Sequence, residues 1–153
     1  MTNSQESRNW LRDAEDSLNR AKKLFELNDF RGTIQSSQMV VEGAVKAVIA
    51  CFGVPEWDHD PSDQLREIIE RYKEKLIEAA GEKGISMLEL LAKDAEEIAP
   101  WHGKSVYGEI LPTGEHISAI DICDKKTAKQ MLEKAERSYE FASNFLKSWF
   151  QPA

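Results

Sequence analysis

Cysteine is scarce in this chain, with two residues, Cys51 and Cys123, among 153. Two thiols cannot build the disulfide framework of a small secreted domain. Cys51 lies in an apolar run, where a reduced and buried thiol is expected. Basic charge is also in deficit: 20 Lys and Arg face 27 Asp and Glu, for a net charge of −7. An acidic chain repels phosphate backbones, so broad, non-specific nucleic-acid binding is disfavoured and only a local basic site stays open. Long hydrophobic runs are missing. The longest, Ala44 to Val54, is interrupted by Lys46 and is too short to span a bilayer. Met1 to Ser7 is polar and lacks the apolar centre of a signal peptide. The expected location is therefore cytoplasmic, with no membrane association. There is no internal repeat, no low-complexity tract and no sustained strand-like alternation.

What remains is a chain of ordinary globular composition, 41% hydrophobic and 31% charged, of a size that buries roughly 70% of its unfolded surface as one domain. Residues 1–6 are expected to be a flexible N-terminus and 7–150 a single helical domain. A first helix is predicted from Ser7 to Leu27, with Leu11, Ala14, Leu18, Ala21 and Phe25 on one face. Asp29 is placed to cap a second helix running from Phe30 to Phe52. That helix combines a wide apolar surface with small residues at Ser36, Ser37, Gly43, Ala44 and Ala47, which suits a central rod, and Gly53 is its expected stop. A loop from Val54 to Pro61 precedes a third helix capped by Ser62 and ended by Gly81 and Gly84. A fourth helix is expected from a Ser86–Glu89 capping box to Ile98. The segment from Ala99 to Ile122 is the least regular and reads as a long loop. A last helix is predicted from an Asp124 cap to Phe150. The fold class is all-α, an up-and-down bundle of four to five helices.

The first two helices carry more than amphipathicity. Trp10, Ala14, Asp16, Leu18, Ala21, Leu24 and Phe25 lead through Asp29-Phe30 to Gln38, Glu42, Ala44, Lys46-Ala47, Gly53 and His59. This arrangement resembles the HEPN family (higher eukaryotes and prokaryotes nucleotide-binding domain), whose second helix follows A-x-x-x-A-Q-x-A-x-E-x-x-x-K-A. Ser37 and Gly43 stand here where alanine is commoner. Tyr107-Gly108-Glu109, a following proline and an Ala-rich final helix resemble the stand-alone prokaryotic and archaeal branch. The resemblance implies a homodimer. It also implies a link to nucleotide or RNA metabolism, often beside a minimal nucleotidyltransferase in a toxin–antitoxin pair. Many HEPN ribonucleases carry Arg-x4-6-His, in which the histidine is acid/base and the arginine holds phosphate. The positions that precede His102 at that spacing hold Glu97, Glu96 and Ala95. Those before His116 hold Leu111, Ile110 and Glu109, and those before His59 hold Val54, Gly53 and Phe52. No catalytic residue is therefore assigned. The expected function is a non-catalytic nucleotide-binding or interaction module. The alternative is a metal-independent ribonuclease with a degenerate site, in which His102 is the acid/base and Lys104 replaces the arginine.

The candidate nucleotide site is Trp101, His102, Lys104, Ser105 and Tyr107. They group an imidazole, an ammonium, hydroxyls and stacking surfaces, against the plainer reading of a surface loop anchored by its two aromatics. Gly103-Lys104-Ser105 mimics the end of a P-loop but lacks the earlier glycine, at Ile98, and the preceding strand. Asp58-His59-Asp60, with Asp63, reads as a turn or cap. No second histidine or cysteine stands at ligand spacing, so no metal and no cofactor is expected. With three histidines in the chain, a hydrolase triad has no support. Arg8, Arg12, Arg20, Lys22 and Lys23 could join Lys125, Lys126 and Lys129 in a basic patch for RNA if first and last helices are neighbours. Phe145, Trp149 and Phe150 either cap the core or form a dimer interface, and dimerisation is the favoured reading.

Overall fold

Thr2 starts the first helix five residues ahead of the expected Ser7. Its side chain accepts from the Gln5 N–H while Gln5 reaches back to the Thr2 N–H, a complete capping box. In the computed structural model, which describes residues 2–150, α1 therefore spans Asn3–Glu26. Residues 3–6, expected outside the domain, form its first turn. Ser7 is buried, with its hydroxyl against the Cys51 sulfur.

The turn that follows is short because Asn28 takes a left-handed conformation (φ 60°), which asparagine tolerates better than most residues. Asp29 then accepts the Gly32 N–H at 2.8 Å and opens α2, Phe30–Ala50, as expected. Phe25 and Phe30 meet across the turn, 5.8 Å between centroids. The two helices lie close enough that a side-chain carbon at Gly43 would stand 3.3 Å from the Ala14 methyl. Fifteen of the 21 residues of α2 are buried, which makes it the central rod of the bundle, packed against α1, α7 and the elements between.

α3 spans Ser62–Arg71. Ser62 is not its cap but its first residue, buried, and its N–H donates to the Asp60 carboxylate at 3.0 Å. α4 spans Lys73–Ile98 with one break, at Gly81 (φ 72°, ψ 179°). The expected glycine stop is real, but the helix resumes immediately, so Ser86 lies inside a helix rather than capping one. α4 is pinned to the last helix by Asp94, which is 1% exposed and takes a two-point contact from Arg137, with Lys134 alongside.

The segment expected as a loop is instead largely structured. It contains α5 (Trp101–Tyr107), a hairpin of β1 (Glu109–Ile110) and β2 (His116–Ile117) in antiparallel register, and α6 (Ala119–Ile122). Gly108 makes this possible. At φ 78° its missing side-chain carbon would fall 2.1 Å from the Ile117 carbonyl oxygen, so only glycine lets the hairpin fold back on the end of α5. Asp124 caps α7 (Lys125–Phe150) through the Thr127 N–H at 2.8 Å, as expected. The C-terminal aromatics act within the chain. Phe145 is buried, and Trp149 packs on Phe52 (4.8 Å) and Phe145 (5.8 Å). Phe145 lies in the core and Trp149 and Phe150 pack partly buried against it, which fits the core-capping reading of these residues. The fold is all-α apart from the two-rung hairpin, and no described helix is long and apolar enough to cross a membrane.

Candidate functional site

One polar stripe crosses the largely buried helix α2. Arg31, Gln35, Gln38, Glu42 and Lys46 recur at steps of four, three, four and four, which aligns them on one face. Arg31 donates to the carbonyls of Ser105 (2.6 Å) and Val106 (2.8 Å), and Gln35 donates to Ser105 as well. These bonds satisfy carbonyls at the C-terminal end of α5 and hold that short helix against α2. Further along, Gln38 is 1% exposed and Lys46 4%. The Gln38 amide donates to Glu42 Oε1 (3.0 Å), and the Lys46 ammonium holds Glu42 Oε2 (3.2 Å) while lying 5.2 Å from the centre of the Trp10 ring. Buried charge of this kind needs its partners, because an ion stripped of water and left alone costs several kcal/mol.

Two imidazoles are presented by this stripe. His59 comes from the loop after α2, which is fixed by Gln64 bonds to Val54 and Glu56 and by the Asp58 and Asp60 carboxylates, each accepting an N–H of the turn. His102 comes from α5. His59 Nδ1 lies 3.1 Å from Glu42 Oε1, and His102 Nδ1 lies 3.1 Å from Gln38 Oε1. The rings stack, 3.6 Å between centroids and 19° between planes. A carboxylate oxygen only accepts, so His59 donates from Nδ1. The Gln38 amide already donates to Glu42, so its oxygen faces His102, which also donates from Nδ1. This hydrogen-bond logic assigns both tautomers. Each exposed ring is left with Nε2 as a lone-pair base or, once protonated, an outward N–H donor.

The sequence-predicted residues fall unevenly around this pair. His102 is exposed and central. Lys104 is partly exposed, 3.7 Å from Glu109 and over the Trp101 ring at 5.5 Å. Trp101 is half-buried against the core, Ser105 is buried, and Tyr107 is 78% exposed. The Ser105 hydroxyl has no hydrogen-bond partner and cannot reach a surface ligand. His116 bonds the Tyr107 carbonyl at 2.7 Å, joining hairpin to α5. Trp57, two residues before His59, is fully exposed. The first and last helices are neighbours, as the expected basic patch requires. Arg8 and Arg12 line a groove of about 440 Å³ between α1 and α7 with Lys147, Leu11, Leu146 and Glu15, while Arg20 pairs with Asp16.

Sequence reasoning reached Gln38, Glu42 and Lys46 only as a family pattern, and weighed His59 as a metal ligand only beside Asp58, Asp60 and Asp63, where it was set aside as a turn or cap residue. The available signal was three polar residues at steps of four on a helix whose other faces are apolar or small. Pairing His59 with His102 needed the tertiary structure.

The comparisons with known proteins agree with this architecture. No solved structure matches the chain. A protein of Methanocaldococcus jannaschii named "Putative toxin MJ1304" is 27% identical over 139 residues, covering 90% of this chain and 86% of that protein. The family model described as HEPN domain matches residues 7–147, and the chain belongs to the HEPN domain family.

Proposed function

We propose that this protein is the toxin-like HEPN component of a two-component, toxin–antitoxin-type system, and that it binds a nucleotide or RNA phosphate at the His59–His102 pair. One observation carries the reading: two exposed imidazoles share a stack and have their Nδ1 atoms tied back to Glu42 and Gln38 of the central helix, so both Nε2 atoms are free for a ligand. Protonated at Nε2, each ring donates to a phosphate oxygen. Trp57 and Tyr107 offer uncovered aromatic faces on which bases stack. The toxin role comes from the relative named as a toxin. The partner would be a minimal nucleotidyltransferase, and a homodimer is the expected assembly, both from the family resemblance.

The test is titration of ATP and of a short single-stranded RNA into the protein in EDTA, by calorimetry and by anisotropy. Binding should weaken about tenfold in His59→Ala and in His102→Ala, the loss of one charge-assisted hydrogen bond. Absence of binding to either ligand would reject the site.

A second reading, metal-independent RNA cleavage, is favoured by the Glu42–His59 contact. A carboxylate that holds Nδ1–H orients Nε2 as a general base, and the neighbouring ring can serve as the acid. Cleavage in EDTA by wild type, abolished in His102→Ala, is the expected result of this reading, and an inert wild type ends it.

A further inference from the structure

Glu42, His59 and His102 each bring one donor atom within 4.8 Å of the other two. Two imidazoles and a carboxylate form the donor set of three-ligand zinc sites. In these, bonds of about 2.0–2.2 Å set neighbouring donors about 3.3 Å apart and leave a fourth position for water. His59 Nδ1 and Glu42 Oε1, 3.1 Å apart, already stand near that spacing. His102 completes the set by tilting from Gln38, a movement open to an exposed ring on a seven-residue helix. The carboxylate is supported as metal ligands commonly are, by partners that fix its orientation: Lys46 holds Oε2, and the Gln38 amide donates to Oε1. Other groups that could ligate an ion are engaged elsewhere. Asp58 and Asp60 accept backbone N–H groups of their own turn, and His116 is bonded to the Tyr107 carbonyl.

We propose that Glu42, His59 and His102 form a binding site for Zn²⁺ or a similar divalent transition-metal ion. Two nitrogen donors favour such ions over Mg²⁺ or Ca²⁺, which take oxygen ligands. His59 ligates as the neutral imidazole, its proton moving from Nδ1 to Nε2, and because protons compete with the ion for the ligating nitrogens, affinity falls as pH is lowered. The ion joins three separate elements, α2, the loop after it and α5, and so clamps α5 to the central helix. The inference stands apart from the nucleotide reading, because it requires only these three side chains. Where both hold, metal and acid/base chemistry compete for the same rings.

The experiment is titration of the EDTA-treated and dialysed full chain with Zn²⁺ by calorimetry and with Co²⁺ by visible absorption, alongside thermal melts. One ion per chain is expected, with Kd at or below roughly 10 μM, the d–d bands of four-coordinate Co²⁺, and a Tm that rises with added Zn²⁺. His59→Ala and His102→Ala should each weaken binding about tenfold or more, and Glu42→Gln should weaken it too. Both site rings are exposed, so their removal spares the core, and far-UV circular dichroism verifies folding. Zero stoichiometry in the wild type, or wild-type affinity in the folded His59→Ala/His102→Ala double variant, would overturn the proposal. Nucleotide binding measured in EDTA reports on the other reading independently.

Discussion

Glu42 joins a buried lysine, a buried amide and an exposed imidazole through one carboxylate. The arrangement explains why charge is tolerated on the central helix: Lys46 has an anion at 3.2 Å and an aromatic face beside it, so its desolvation is offset where it arises. Cys51 illustrates the opposite solution, in which a titratable group is buried and kept neutral. Burial pushes its thiol up to about 11, and the Ser7 hydroxyl counters only part of this. The folded state therefore keeps the proton after the unfolded state has lost it. The resulting stability is complete below the ordinary thiol range and is lost as pH rises through the folded value. Unfolding in urea should show the wild type losing about 2 kcal/mol more than Cys51→Ala between about pH 8 and about pH 10.5. Equal losses in the two proteins would show that Cys51 is not shielded as described.

At the scale of elements, the site depends on keeping short pieces in place. α5 has seven residues and could not persist alone, since isolated helices of that length do not form in water. It is held by Arg31 and Gln35 from below, by His102 on Gln38, and by the hairpin behind Gly108. Gly108→Ala combines a left-handed backbone with a side-chain carbon 2.1 Å from the Ile117 oxygen. It should cost about 2–4 kcal/mol and loosen residues 101–117. Hydrogen exchange should show faster exchange there, with α1 and α2 still protected. Unchanged exchange in α5 would mean that the hairpin does not support it.

For the molecule as a whole, the bundle closes on itself at its aromatic end. Trp149 covers Phe52 and Phe145, and Phe52 in turn meets Tyr72 at 4.9 Å. Trp149→Ala should lower stability by about 2–4 kcal/mol, and the fall in Tm should be the same in dilute and concentrated protein. A Tm deficit that depended on concentration would return Trp149 to a subunit interface.

Much of this was legible from apolar spacing. The helical class, the Asp29 and Asp124 caps and the central role of α2 follow from local rules, because a cap or an amphipathic face is settled within one or two turns of chain. The same local reasoning placed Ser62 and Ser86 as caps, where neighbouring Asp60 and the kink at Gly81 decided otherwise. It also made a loop of residues 101–107, whose helix is secured by Arg31, seventy and more positions earlier in the chain. Single residues along the chain determined which segments are rods and where most of them begin. The meeting of His59 with His102 was decided only by packing, because the distance between two side chains on separate elements is set by the helix that lies between them and by nothing in their own neighbourhoods.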